Sequence, residues 1–219
     1  MKNNFYILLT FLLLINGCNE TENKPLPSPE NENKSITKIS TLNSSQNFIS
    51  TPIPKPIKDK KVKKYSFIFE NLKNKKSIIE MENDLYHFKN IQQPIVMIVL
   101  FSTWCPPCRG EIPHLTNLQK KFKKNLFILG ALVHDDIKNE PLQKLIIAEK
   151  ALFFISTNQK ENLKFSDMIT PKLKLEKEFP MPLMILFKNG KYFTHYEGNM
   201  PEEMIESDIR QLLEQIKKG

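Results

Sequence analysis

Arginine is almost missing from this chain: of 32 basic residues only Arg109 and Arg210 carry a guanidinium, and the rest are lysine. The planar Arg fork is the preferred reader of phosphates and guanine edges, so its scarcity argues against a nucleic-acid partner despite a net charge of +8. A lysine and asparagine bias of the kind that AT-rich coding produces accounts for that charge, which at most favours an anionic membrane surface nearby. Cysteine is scarce as well. Three residues, Cys18, Cys105 and Cys108, are too few for a disulfide-stapled scaffold, so the core must form without covalent help. A glycine-rich phosphate loop and internal repeats are absent. The hydrophobic share of 40% is slightly low for a globular chain, which places part of the 219 residues outside a core.

The composition divides the chain in three. Residues 1–17 read as a targeting segment, with Lys2 ahead of the apolar stretch Phe5 to Ile15. That stretch is far short of the ~20 residues a membrane-spanning helix needs and fits the core of a signal peptide. It ends in Ile15-Asn16-Gly17-Cys18, which resembles a bacterial lipoprotein signal, although Asn16 stands where a small residue is usual. The resemblance implies that Cys18 carries lipid, and therefore residence in the bacterial periplasm or at the cell exterior, anchored to a membrane. An ordinary signal peptide or a short uncleaved anchor is the alternative. Residues 18–64 recur in Pro, Asn, Ser, Thr, Glu and Lys without hydrophobic periodicity, and read as a flexible tether.

Residues 65–219 carry the folded domain. Tyr65–Glu70 and Ser77–Met81 alternate like the strands of a hairpin, and Asn83–Lys89 reads as a short helix with Leu85, Tyr86 and Phe88 inward. Ile95–Phe101 is continuously apolar, as expected of a central strand covered on both faces. Cys105-Pro-Pro-Cys108 follows directly, then a helix carrying Ile112, Leu115, Leu118 and Phe122. Leu126–Val133 reads as a strand, Glu140–Lys150 as a helix opened by Pro141, and Ala151–Ile155 as another strand. The stretch 158–178 is poorly patterned: a helix and an irregular crossing. Pro182–Lys188 and Lys191–Glu197 flank Asn189-Gly190, the strongest hairpin signal in the chain. Pro201 opens a last amphipathic helix with Met204, Ile205, Ile209, Leu212, Leu213 and Ile216 inward. The pattern predicts an α/β domain with a mixed sheet.

A C-x-x-C between a buried strand and a helix start has a chemical logic. Free N–H groups and the positive end of the helix dipole stabilise a thiolate at Cys105, the expected exposed nucleophile. Cys108, one turn on, is the expected buried resolving thiol. Neither Pro106 nor Pro107 has an N–H, so Cys108 offers the nearest donor to that thiolate. With no His between the cysteines, a potential nearer ~ −270 mV than ~ −120 mV is expected.

Trp104-Cys-Pro-Pro-Cys108 resembles the thioredoxin-fold active site, and its continuation through Glu111 and Pro113 resembles the C-x-x-C-x-x-E-x-P pattern of membrane-anchored TlpA/ResA-like reductases. Pro182 to Gly190, with Gly198 beyond, resembles the cis-proline strand and hairpin of that group. The resemblance covers residues 65–219. It implies a thioredoxin-like fold with an N-terminal β-hairpin extension and thiol-disulfide exchange without a cofactor or metal. It implies substrate contacts at Trp104, Pro106, Pro107, Met181 and cis-Pro182, and a thiol-tuning or proton-relaying role for Glu111, for which a solvated helix carboxylate is the alternative. Val99 occupies the position of the buried Asp of cytoplasmic thioredoxins, and Met181 stands where many relatives have Thr. The implied partners are exported proteins with cysteines or disulfides, among them apocytochrome c during haem attachment, and a membrane electron donor of the DsbD or CcdA kind. No nucleic acid is expected, and the chain is expected to be a monomer.

Two alternatives remain. An oxidising or isomerising catalyst would use the same pair in the other direction, and the lack of a large helical insert favours reduction. A copper-delivery chaperone of the Sco type would share the fold but resembles a C-x-x-x-C plus His pattern. His87, His114, His134 and His195 are scattered, and each alone reads as a surface or satisfied polar residue.

Overall fold

The computed structural model describes residues 63–218. The targeting segment, Cys18 and the tether up to residue 62 lie outside the described residues. Strand β4 (Ile95–Phe101) is an interior strand of an eight-stranded sheet, third from one edge, and all seven of its residues are buried. Alternate side chains serve opposite faces, as strand geometry requires. Ile95, Met97, Val99 and Phe101 join one core, and Val96, Ile98 and Leu100 the other. Its neighbours are β5 (Leu126–Leu132), parallel, and β7 (Leu183–Lys188), antiparallel. Outside β5 lies the parallel β6 (Phe154–Ser156), and outside β7 its hairpin partner β8 (Lys191–Glu197). The sheet is mixed and the fold thioredoxin-like.

Helices cover both faces. On the first lie α1 (Pro106–Lys121), α2 (Asn139–Ala148) and α4 (Glu202–Lys218), which supply Ile112, Leu115, Leu118, Leu142, Ile205, Ile209 and Leu212 to one core. On the second lies α3 (Gln159–Lys172), which contributes Phe165 and Ile169. In α4 the buried stripe is Ile205, Ile209 and Leu212, one face at 3.6-residue spacing. Met204, expected inward, flanks that stripe and is 53% exposed.

The N-terminal extension is larger than a hairpin. Strands β1 (Lys64–Glu70), β2 (Lys76–Glu82) and β3 (Leu85–Lys89) form an antiparallel meander that continues the sheet beyond β8. The helix expected over Asn83–Lys89 is therefore a turn and a strand. Asn83 takes φ +58°, which Asn tolerates in a tight two-residue turn, and ends any helical continuation. Beyond it Tyr86 and Phe88 alternate inward, at strand rather than helix period, and pack against Phe187, one tilted and one edge-on, while Leu85 stays exposed.

The meander curls over α3. Phe165 sits edge-on between Phe67 and Phe69, with ring centroids 5.2 and 5.6 Å away. The outer edge of β1 then meets the segment after β6. Thr157 N–H donates to Glu70 O at 2.7 Å, Ile68 N–H to Glu161 Oε2 at 3.1 Å, and Asn158 Nδ2 to Ile68 O at 3.1 Å. An edge that would otherwise template aggregation is thereby occupied. These contacts give the stretch 158–178 its order: Asn158 caps α3 by accepting from Glu161 N–H. Two other expected elements are shorter than their patterns suggested. Helix α2 starts at Asn139, so Pro141 is its third residue, and it ends before Lys150, whose φ is +51°. Ala151 and Phe153 are buried but precede β6 rather than belonging to it.

The meander is joined to the β7–β8 hairpin at one narrow point. Tyr86 N–H donates to Gly190 O at 2.8 Å, and Leu85 pairs with Lys191. Gly190 takes φ +77°, and a Cβ there would lie 2.1 Å from the Tyr86 carbonyl oxygen. Gly190→Ala must therefore strain the turn and push β3 away. A loss of about 1–3 kcal/mol in urea denaturation is expected; unchanged stability would mean that β3 is not seated on the hairpin.

Candidate active site

Everything at the site follows from where β4 stops. Phe101 ends the buried strand, and Val133 N–H, just past β5, donates to its carbonyl at 3.0 Å. Ser102 turns the chain, its hydroxyl donating to Val133 O at 2.5 Å. Thr103 N–H is taken by the buried carboxylate of Asp135. Asp135 also accepts from Ile137 N–H at 3.0 Å, so one carboxylate ties the loop after β4 to the loop after β5. Trp104 is 62% exposed, yet its indole N–H donates to His134 O at 2.8 Å, fixing the ring beside the cysteines.

Cys105 is the N-cap of α1 and Cys108 lies in its first turn. The two are disulfide-bonded, with Cα atoms 5.2 Å apart. Pro106 and Pro107 open the helix, where their missing N–H groups cost nothing. The first amide that remains, Cys108 N–H, donates to Cys105 Sγ at 3.3 Å. Cys105 is less open than expected of an exposed nucleophile: it is 5% exposed, against 1% for Cys108. The loop of residues 180–182 covers it. The Met181–Pro182 peptide bond is cis, the Met181 carbonyl oxygen is 4.0 Å from Cys105 Sγ, and Met181 Sδ lies 3.7 Å from Ser102 Oγ. Pro182 O accepts from Gly198 N–H at 2.9 Å, locking that loop to the end of the hairpin. Trp104, the cysteines, Met181 and Pro182 therefore form one surface. Val99 lies in the core beneath it and brings no charge.

Glu111 is fully buried, not the solvated carboxylate that its place on a helix allows. It lies one turn beyond Cys108 on the same face of α1. Oε2 accepts from Met200 N–H at 3.4 Å and is 3.7 Å from His114 Nδ1, while Oε1 is buried without a partner. Burial pushes its carboxyl above the usual range, against the pull of His114 and the Met200 amide, and Glu202 adds to the rise. Asp135, Met200 and His114 were not legible as site residues. The first two come from loops distant in sequence. His114, at three residues from Glu111, shares its helix face, and that spacing was the one available signal.

Among the described residues no group of three or more His, Cys, Asp or Glu side chains is placed to hold a metal ion. Nor is any described helix long and apolar enough to cross a membrane.

No protein-family model matches the chain. Two thiol-disulfide oxidoreductases named ResA, from Bacillus thuringiensis subsp. konkukian and from Bacillus cereus, are each 24% identical over 139 residues, which is 62% of this chain and 73% of theirs. The chain is similar in sequence to these thiol-disulfide oxidoreductases, and its Cys105–Cys108 pair supports the same class of activity. Solved structures agree on the fold of the chain. A thioredoxin-family thiol:disulfide interchange protein from Chlorobium tepidum superposes with TM-score 0.53 at 15% identity, over 68% of this chain and 93% of that one. A second C. tepidum protein, assigned as DsbE, gives 0.50 at 22% identity, over 68% and 94%.

The buried carboxylate has a stability signature. Its pKa is raised in the fold, so the native state holds that proton more tightly than the unfolded chain. The stabilising contribution is complete below the unfolded value of ~4.3 and is lost as pH rises through the folded value. Glu111→Gln should therefore be more stable than the parent near neutral pH, by on the order of 1 kcal/mol, with the gain disappearing near pH ~4. Urea denaturation across pH checks this; an offset that does not vary with pH would count against it.

Proposed function

We propose that the protein reduces disulfides of exported proteins, with Cys105 as nucleophile and Cys108 as resolving thiol. The supporting observation is the placement of Cys105 Sγ at a helix N-terminus, 4.0 Å from the Met181 carbonyl, beside the exposed Trp104. Loop 181–182 offers backbone to an extended substrate segment, which pairs as a strand does. The Cys105 thiolate attacks a substrate disulfide, whose S–S bond breaks; one substrate thiolate leaves and a mixed disulfide forms. Cys108 then gives up its proton as its sulfur attacks Cys105 Sγ, and the second substrate thiolate is released. Two electrons pass to the substrate, and the pair is left as the disulfide seen here.

Two features support reduction over oxidation. No His lies between the cysteines to stabilise the thiolate strongly. Between β6 and β7 the chain has the single helix α3 and no larger helical insert. The lipoprotein-like signal at Cys18 supports an extracytoplasmic, lipid-anchored location. Recharging then falls to a membrane electron donor, and apocytochrome c is one candidate substrate.

Cys108→Ser tests the reading. Without the resolving thiol, the mixed disulfide at Cys105 should accumulate and its partner become identifiable; no Cys105-dependent adduct would overturn the assignment. Equilibration of the parent with glutathione should give a potential near ~ −270 mV, and a value above roughly −170 mV would reverse the proposed direction.

A further inference from the structure

The pair Glu111 and His114 has a geometry that the exchange chemistry above leaves unused. Three buried side-chain polar atoms among the described residues lack a hydrogen-bond partner, and two of them are Glu111 Oε1 and His114 Nδ1. The imidazole spans the boundary of the protein. Its Nδ1 is buried and 3.7 Å from Glu111 Oε2, while the side chain as a whole is 44% exposed. Glu111 itself has no exposed surface. The other groups around that carboxylate are the Met200 N–H, from the loop ahead of α4, and Glu202 of α4, which is held by Asn117 Nδ2 at 3.1 Å. Neither offers the contact that His114 does: the Met200 amide does not titrate, and the Glu202 carboxylate is bonded to Asn117 instead of Glu111.

We propose that His114 is the proton conduit between Glu111 and solvent, acting through Glu111 during the resolving step at Cys108. This rests on the assignment of Cys105 and Cys108 above. Cys108 enters its attack as a thiol one turn from Glu111. As its sulfur bonds to Cys105 Sγ and the Cys105–substrate S–S bond breaks, its proton passes to the Glu111 carboxylate and the substrate sulfur leaves as thiolate. Glu111 hands the proton to His114 Nδ1, giving an imidazolium, and Nε2 releases a proton to water. The neutral ring then exchanges between tautomers through its exposed edge. One proton reaches solvent and two electrons reach the substrate. The 3.7 Å separation is an ion-pair distance, of the kind that shortens when a proton is in transit.

The test uses the reduced full-length chain carrying Cys18→Ser and one equivalent of 5,5′-dithiobis(2-nitrobenzoate), whose two thiolates are released in separate phases. The first phase reports attack by Cys105, the second resolution by Cys108. His114→Ala should leave the first phase within about twofold and slow the second at least roughly fivefold near pH ~7, less than the ~10²–10⁴-fold of a group that itself meets the reacting atoms, because His114 acts through Glu111. Free imidazole should restore the second phase in His114→Ala, and His114→Gln should be slowed as well. Adding His114→Ala to Glu111→Gln should cost nothing further, since the two act in series. A second phase unchanged in both His114 variants across pH, slowing that imidazole does not reverse, or effects that add in the double variant would each overturn the conduit. Absence of a first phase in the parent would instead overturn the function assigned to Cys105, and the conduit with it.

Discussion

The full burial of β4 is the constraint on which the rest depends. A strand apolar on both faces can exist only between two layers of helices, and that requirement places α1 and α4 on one side and α3 on the other. The sheet does not extend past Phe101, because the next residues are polar and need partners. Ser102 and Thr103 find theirs on Val133 and Asp135 at the end of the neighbouring parallel strand. The reactive loop is thus held at the carboxyl ends of β4 and β5, where a parallel pair opens and the N-terminus of the following helix faces outward. The position of the cysteines is a consequence of hydrophobic burial one strand earlier.

A reactive dithiol must be both rigid and accessible, and the fold divides those tasks. Rigidity comes from below and from the sides: Asp135 clamps the loop backbone, His134 O orients Trp104, and the Pro182–Gly198 bond holds the facing loop. Accessibility is narrow, since Met181 leaves little of Cys105 uncovered. Any group that reacts with Cys105 Sγ must therefore pass the 180–182 loop. Glu111 is the cost of this arrangement. A carboxylate without exposed surface works against the fold when ionised, and Glu111 lies one turn from Cys108, where the proposed relay uses its proton.

What was legible in the sequence was what local patterning determines. Ile95–Phe101, the helix after Cys108 and the Asn189-Gly190 hairpin each carry their own signal within a dozen residues. Strand β3 was misread because five residues are too few to separate a period of 2 from one of 3.6, and the deciding contact, Tyr86 and Phe88 on Phe187, lies a hundred residues away in sequence. Helix α3 was obscure for a similar reason. Its buried face is defined by Phe67 and Phe69 of the meander rather than by an apolar stripe of its own. At the site, the cysteines were readable from their spacing, and Trp104 and Pro182 from the family resemblance. Asp135, which holds the loop before Cys105, and the Met200 amide, which bonds Glu111, are set by tertiary proximity and leave no mark on the sequence.

The scarcity of arginine takes on a structural meaning once the helices are placed. Arg109 pairs with Glu149 at 2.7 Å, linking the first turn of α1 to the end of α2. Arg210 pairs with Glu206 at 2.7 Å and lies over the Phe122 ring, 5.6 Å from its centroid, linking α4 to the end of α1. Lys121 reaches the same Glu206 at 2.6 Å, and the two cations hold that carboxyl below its usual range. Each exposed pair is worth little alone. Their placement at both ends of one helix nevertheless opposes the motion that would matter most here, a swing of α1 against its neighbours. Such a swing would carry Cys105 away from Met181 and open Glu111 to water. Both guanidiniums are already committed to that bracing, so the excess positive charge of the folded domain is carried by lysines.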